Sequence, residues 1–346
     1  MPYRFKIDEP VEKGFRRIAR EQFEVVLSEL ASPDMRPKGV HECRKALKRL
    51  RALVRLVGPS LGSKRARRMG KSLADAGRIL ASRRDEAVLR DTVSQLAAKG
   101  GPDAAAILAP WLLHFGSEAE QAQIDPQSIE RMRVLLRSEA DTFARAKLKH
   151  RGFAAQKGGL ETSYRRARKA LKDAYREPSD ESFHTLRKTV QWHWRQMSLL
   201  ARAWPDEYAV RVEAARGLSQ ALGDDHDLTM LIAATIKATD FSAEQKEAIV
   251  ELCLARQQEI RASVGPSVNR LFAEKPDAFI ARMAAYWKCG HAAPFPDIVP
   301  IVRSQANARA SDKMLGTVTT LDTAGSSSKV QSAPAPAVAV PSQRRA

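Results

Sequence analysis

The stretch Val40–Val57, VHECRKALKRLRALVRLV, decides the fold class. An α-helix turns about 100° per residue. On that wheel His41, Arg44, Lys45, Lys48, Arg51 and Arg55 fall within roughly 120° of arc. Cys43, Ala46, Leu47, Leu50, Leu53, Val54 and Val57 take the other side. One dry face and one cationic face describe a helix packed on a core through a single side. Solvated helix faces usually interleave both signs, because opposite charges at i,i+4 stabilise and like charges destabilise. No acid falls within this stripe. An anion lying along it would relieve the repulsion, so the stretch reads as an anion-binding face as well as a helix.

Outward from this stretch, nearly every segment between turn signals has the same helical period. Val11–Leu30 is an expected helix, closed by the linker SPDMRPKG. The helix of Val40–Val57 is expected to end near Gly58-Pro59. Gly62–Ala97 reads as one long helix closed by KGGPD, followed by helices at Asp103–Gln121 and Gln127–Lys149. His150–Gly159 reads as a loop because of its glycines. Alternating patterns are absent and β-branched residues sparse, so no strand is expected.

The pattern then starts again. Ser163–Glu177 resembles Gly14–Glu29, Phe183–Leu200 resembles Val40–Val57, and Ala215–Leu231 resembles Leu73–Leu89. The pairs His41/His184, Arg44/Arg187 and Lys45/Lys188 are each 143 residues apart, and Asp85/Asp227 are 142 apart. Like elements in like order at near-constant offset argue for an internal duplication. Further helices are expected at Ser242–Ser263 and Ser267–Lys288. The expected fold is all-α, with two similar helical halves, about 11–150 and 160–290, related by a pseudo-twofold axis within a domain spanning 11–290. Residues 1–10 form an N-terminal extension. Residues 304–346, rich in Ser, Thr, Ala, Pro and Val, are expected to be disordered, since they bury too little apolar surface to offset their ordering entropy.

Charge concentrates in the first half. Lys64, Arg67, Arg68 and Lys71 share a face at i, i+3, i+4, i+7 spacing, and Arg78, Arg83 and Arg84 continue it, with Asp75 placed to orient Lys71 and Arg78. Residues 36–90 hold 17 basic and 4 acidic side chains. In the second copy His184, Arg187, Lys188, Gln191, Arg195 and Arg202 share the polar face, while Val190, Met197, Leu200 and Trp204 face away. Gln191 and Trp194 replace Lys48 and Arg51, which weakens that copy. Arg165, Arg166, Arg168, Lys169, Lys172, Arg211 and Arg216 form a lesser set. His193 stands where the first copy has Leu50 and reads as a core histidine. Asp85 and Asp227 read as structural carboxylates. His226 lies between Asp225 and Asp227, but consecutive helical residues cannot all aim at one ion, so no metal site is expected.

The 346 residues carry 58 Lys and Arg against 40 Asp and Glu, a formal charge of +18 that draws in polyanions. Three scattered cysteines, Cys43, Cys253 and Cys289, give no disulfide framework and fit a reducing compartment. The N-terminus lacks the apolar core of a signal peptide, and no apolar run reaches the roughly 20 residues of a membrane span, so a cytoplasmic protein without membrane contact is expected. There is no GxxxxGK[ST] loop, and the cationic faces hold few acids, so no catalytic residue and no cofactor is expected. Nucleic acid ranks behind other polyanions. Trp192 and Trp194 are the only aromatics near a cationic face, and no helix-turn-helix with an evident recognition helix is present.

The paired H-x-x-R-K helices, HECRKALKRLR and HTLRKTVQWHW, each followed by a helix ending near an Asp, resemble the CHAD domain family, the conserved histidine α-helical domain. The likeness spans about Val11–Lys288. It implies a compact helical bundle of two pseudo-symmetric four-helix halves, and a basic surface or central pore that binds inorganic polyphosphate, often with recruitment to polyphosphate granules. By motif matching His41, Arg44, Lys45, Lys48, Arg51, His184, Arg187 and Lys188 are binding candidates. The shared cationic faces add Arg55, Lys64, Arg67, Arg68, Lys71, Arg78, Arg84 and Arg195. The Glu-x-Glu-x-Lys pattern of the triphosphatase domain found in some relatives does not occur here. Alternatives are a nucleic-acid binder or protein scaffold using the same surface, or an accessory factor of polyphosphate or triphosphate metabolism.

Overall fold

A computed structural model describes residues 3–32, 37–80, 82–117 and 125–292, with the backbone alone at 37, 82–86 and 116–117. The tail at 304–346 and the side chains of Arg83, Arg84 and Asp85 lie outside the described residues. Among the described residues the secondary structure is helical and contains no strand. The helices are α1 (Val11–Ala31), α2 (Pro37–Leu61), α3 (Ser63–Ile79), α4 (Ser82–Ile107), α5 (Ala109–Ser117) and α6 (Pro126–Ala144). They continue as α7 (Ala154–Arg176), α8 (Asp180–Leu200), α9 (Pro205–Lys237), α10 (Ala243–Leu271) and α11 (Pro276–Gly290).

Helix α2 packs against α1, α3, α7 and α8, and α8 packs against α7 and α9. The reason lies in the dry face. Cys43, Ala46, Leu47, Leu50, Leu53, Val54 and Val57 are all buried. Helix α7 crosses α2 at Gly159, where a Cβ would stand 1.9 Å from Leu56 O, so the two backbones nearly touch. Helix α8 starts at a capping box between Ser179 and Ser182, with Asp180 and Glu181 in its first turn, where acids favour the helix dipole. Helix α4 crosses back to pack on α9 and α10, and it encloses the space between α2, α8 and α9.

Several boundaries differ from the periodicity. The expected long helix Gly62–Ala97 is broken at Leu80, where Arg44 Nη1 donates to Leu80 O at 3.1 Å and Gly77 O at 3.4 Å. A side chain from another helix thus satisfies the carbonyls that end α3, which no local pattern announces. The expected loop His150–Gly159 is helical from Ala154, because its glycine pair serves the α2 contact and not a turn. The expected break between Ser263 and Ser267 is absent, and the expected helix Ser267–Lys288 is instead divided at 272–275, between α10 and α11. Helix α10 runs through Pro266 to Leu271, and the Tyr175 hydroxyl donates to Arg261 O one turn before the proline. The expected helix Asp103–Gln121 is divided between the end of α4 and α5, after a kink at Gly101 with φ 72°.

The N-terminal extension is part of the packing. Tyr3 and Phe5 are buried, Phe5 N donates to Leu199 O at 2.9 Å, and Tyr3 Oη donates to Arg49 O at 2.7 Å. The segment therefore straps α2 to α8. No helix among the described residues is long and apolar enough to cross a membrane.

Candidate anion-binding cavity

A cavity of about 310 Å³ opens between α2, α4, α8 and α9. Helix α2 contributes Arg44, Lys48 and Arg51 to its wall. Helix α8 contributes His184, Arg187, Lys188, Gln191, Trp192 and Arg195. Helix α9 adds His226, Asp227 and Met230, and α4 adds Val88 and Leu89. The i, i+4, i+7 spacing of Arg44, Lys48 and Arg51 puts them on one face of α2, and the same spacing from His184 to Gln191 does so on α8. Because these helices pack with their dry sides buried, their cationic sides converge.

The convergence is electrostatically costly. Burial pushes the pKa of Arg195 down to about 10, and Arg49, Arg187 and Arg51 add to that, while Tyr3 acts the other way. Arg195 Nη1 donates to Gln191 O at 3.1 Å, and its guanidinium packs 4.7 Å from the Trp194 ring centre. Arg51 is also lowered, by partial burial and then by Arg78. Arg55 lies beyond the cavity wall, 3.5 Å above the Trp192 ring, and is lowered to about 10 by burial, then by Arg166 and Arg51. Guanidinium groups held this close need a counter-charge, and Asp227 is the one carboxylate among the described lining residues.

His184 and His226 stack with ring centres 4.1 Å apart and planes inclined by 28°. Burial holds both near pKa 4. The next causes are His226, Lys188 and Arg187 for His184, and Arg187 and Lys188 for His226. His184 Nδ1 is buried with no hydrogen-bond partner among the described residues. Behind the pair, Arg261 of α10 clamps α8 to α9. Its Nε donates to Asp225 Oδ1 at 2.7 Å and its Nη2 to Asp180 Oδ1 at 2.6 Å. Asp225 is therefore committed to Arg261, while Asp227 reaches the cavity wall.

Of the sequence candidates, Arg44, Lys48, Arg51, His184, Arg187, Lys188 and Arg195 meet in this cavity. His41 is exposed near the start of α2, outside the wall. Lys45 pairs with Glu42 at 2.6 Å, so an acid from beside the stripe does reach into it. Lys64, Arg67, Arg68 and Lys71 are exposed on α3, and Arg78 is ion-paired with Asp75. Arg84, matched to His226 by the 142-residue offset, has its side chain outside the described residues. Arg165, Arg168 and Arg211 have structural partners. Arg165 meets Asp277 at 2.7 Å, Arg168 caps the carbonyls after α10, and Arg211 meets Glu274 at 2.9 Å. His193 is buried against Tyr164, Phe272 and Phe279. Trp204, read as facing the core, is 47% exposed, because the chain leaves the α8 helix before it. Sequence reasoning did not place His226, Trp192 or Met230 in the wall. The repeat offset between Arg84 and His226 was the available signal for the first of these.

The model of the family described as CHAD domain matches residues 17–235. No curated protein matches the chain. Among solved structures, PptA from Streptomyces chartreusis is similar at 16% sequence identity and a TM-score of 0.48, covering 77% of this chain and 100% of that one.

Proposed function

The chain belongs to the CHAD domain family, and from that premise we propose that its cavity binds inorganic polyphosphate without transforming it. The observation that carries the reading is the meeting of cations from α2 and α8 around one cavity with a single described carboxylate in its wall. Polyphosphate has about one negative charge per phosphate and no bases, so its receptor needs repeated cations and no base-reading groups. Arginine grips phosphate oxygens in pairs, and lysine acts as a mobile point charge. The aromatic ring in the wall, Trp192, already carries Arg55 on one face, which works against base stacking there. Captured chains would draw the protein to polyphosphate granules. The exposed cations of α3 would extend contact along a long chain.

The reading is tested by competition. Long-chain polyphosphate is expected to displace labelled single- and double-stranded DNA at equal charge concentration, and DNA that displaced polyphosphate would overturn it. Release of phosphate or short chains in the presence of magnesium or manganese would overturn the non-catalytic part. Charge reversal of Arg44 and Arg51 is expected to abolish recruitment to polyphosphate granules, and recruitment that survived it would favour a protein scaffold.

A further inference from the structure

We propose that the stacked His184–His226 pair couples entry of an anion to uptake of a proton, so that the cavity grips a phosphate chain more tightly as pH falls. The inference rests on the polyphosphate reading and adds a regulation to that site. Two imidazoles lie 4.1 Å apart inside a wall of cations, and one ring nitrogen, His184 Nδ1, is buried with no partner among the described residues.

The charged groups around the pair decide its state. On α8, Arg187 and Lys188 repel a proton, while Asp180 and Glu181 favour one. Asp180 is engaged by Arg261 of α10, which reduces what it offers the pair. On α2, Arg44, Lys48 and Arg51 share the same cavity, as does Arg195 of α8, and on α9 Asp227 lines it. The lining residues described on α4, Val88 and Leu89, are apolar. Burial, and then the prevailing cations, keep the empty pair neutral at physiological pH.

A phosphate in the cavity reverses the balance. Its charge offsets Arg187 and Lys188, and an imidazolium can donate where a neutral acceptor nitrogen cannot. A phosphate oxygen in contact with the pair also gives a buried imidazolium a counter-charge, so the affinity for protons is expected to rise, but two like charges at this separation oppose one another. One proton per cavity is therefore expected. Linkage then requires the affinity for the anion to rise about tenfold per pH unit wherever the free pair is neutral and the bound pair is charged.

The test is calorimetric titration with long-chain polyphosphate at pH 6 in two buffers of different ionisation enthalpy. Long chains keep the weakly acidic terminal phosphates a minor fraction. Wild type is expected to take up about one proton more than the His184→Gln/His226→Gln variant, whose affinity should vary little between pH 5.5 and 7.5. If wild type binds but takes up no more protons than the variant, the coupling is wrong and the polyphosphate reading stands. If wild type does not bind at any pH, that reading falls and the coupling with it. A second measurement needs no variant. The ring protons of His184 and His226 should titrate near pH 4 in the free protein and well above that with polyphosphate bound. An unchanged titration would also overturn the coupling.

Discussion

Gly159→Val is expected to destabilise the protein by about 3 kcal/mol or more. On an ordinary helix surface, replacing glycine stabilises, because glycine has the greater freedom to lose. Gly159 reverses that sign. Its missing side chain is what lets α7 lie on α2, and a Cβ there would stand 1.9 Å from Leu56 O and 2.4 Å from Arg55 O. Neither atom can rotate away, since both are backbone. The helices must separate, and the dry face of α2 loses contact with its neighbour. Gly217→Ala is the contrast. Gly217 is exposed in α9 with nothing within 4 Å of its Cβ position, so that change should stabilise by roughly 0.5–1 kcal/mol. Urea unfolding of the two variants beside wild type decides the point. A Gly159→Val protein as stable as wild type would contradict the packing described for α2 and α7.

His193→Phe is expected to flatten the acid sensitivity of folding. His193 is 1% exposed, and its two ring nitrogens have no hydrogen-bond partner among the described residues. Burial, and then Arg211, pushes its pKa down to about 3. In the unfolded chain the value returns to about 6.5. Below that pH the unfolded chain therefore holds a proton that the folded protein does not. Stability is complete above about 6.5 and falls as pH drops toward the folded value, by up to about 3 kcal/mol at pH 4.5. Phenylalanine shares the aromatic character of the neighbours Tyr164, Phe272 and Phe279 and carries no titrating group. The variant should match or slightly exceed wild type at pH 7 and exceed it by about 3 kcal/mol at pH 4.5. His184 and His226 remain in both proteins, so their share cancels. Parallel stability curves across that range would contradict the burial of an unpaired neutral imidazole.

Much of this architecture was legible in the chain. The separation of Leu50 and Val54 from Lys48 and Arg51 on one helical wheel was enough to orient α2, and the repeated H-x-x-R-K marked α8 as its companion. The cavity follows once both helices bury their dry faces toward a common core. What escaped the sequence depends on contacts between distant segments. Arg44 reads as one more cation of a stripe, yet it also ends α3 by reaching Leu80 O. The glycines at 158 and 159 have the composition of a turn but the role of a helix crossing. Tyr3 and Phe5 lie too close to the terminus for periodicity to register their burial. His226 entered the wall through the path of α9, while the neighbouring carboxylate of Asp225 was drawn off by Arg261.

The most direct test of the central claim is the salt dependence of long-chain polyphosphate binding. Wild type is measured beside a cavity variant, Lys48→Gln/Arg51→Gln/Lys188→Gln, and a surface variant of α3, Lys64→Gln/Arg67→Gln/Lys71→Gln. Wild-type affinity should fall steeply with salt as counterions are released. The cavity variant should bind at least about tenfold more weakly, with a log–log salt slope shallower by roughly 2, taking about 0.7 per lost contact. The α3 variant should lose less on both measures. Unchanged affinity in the cavity variant, or a larger loss in the α3 variant, would contradict the assignment of the cavity as the polyphosphate site.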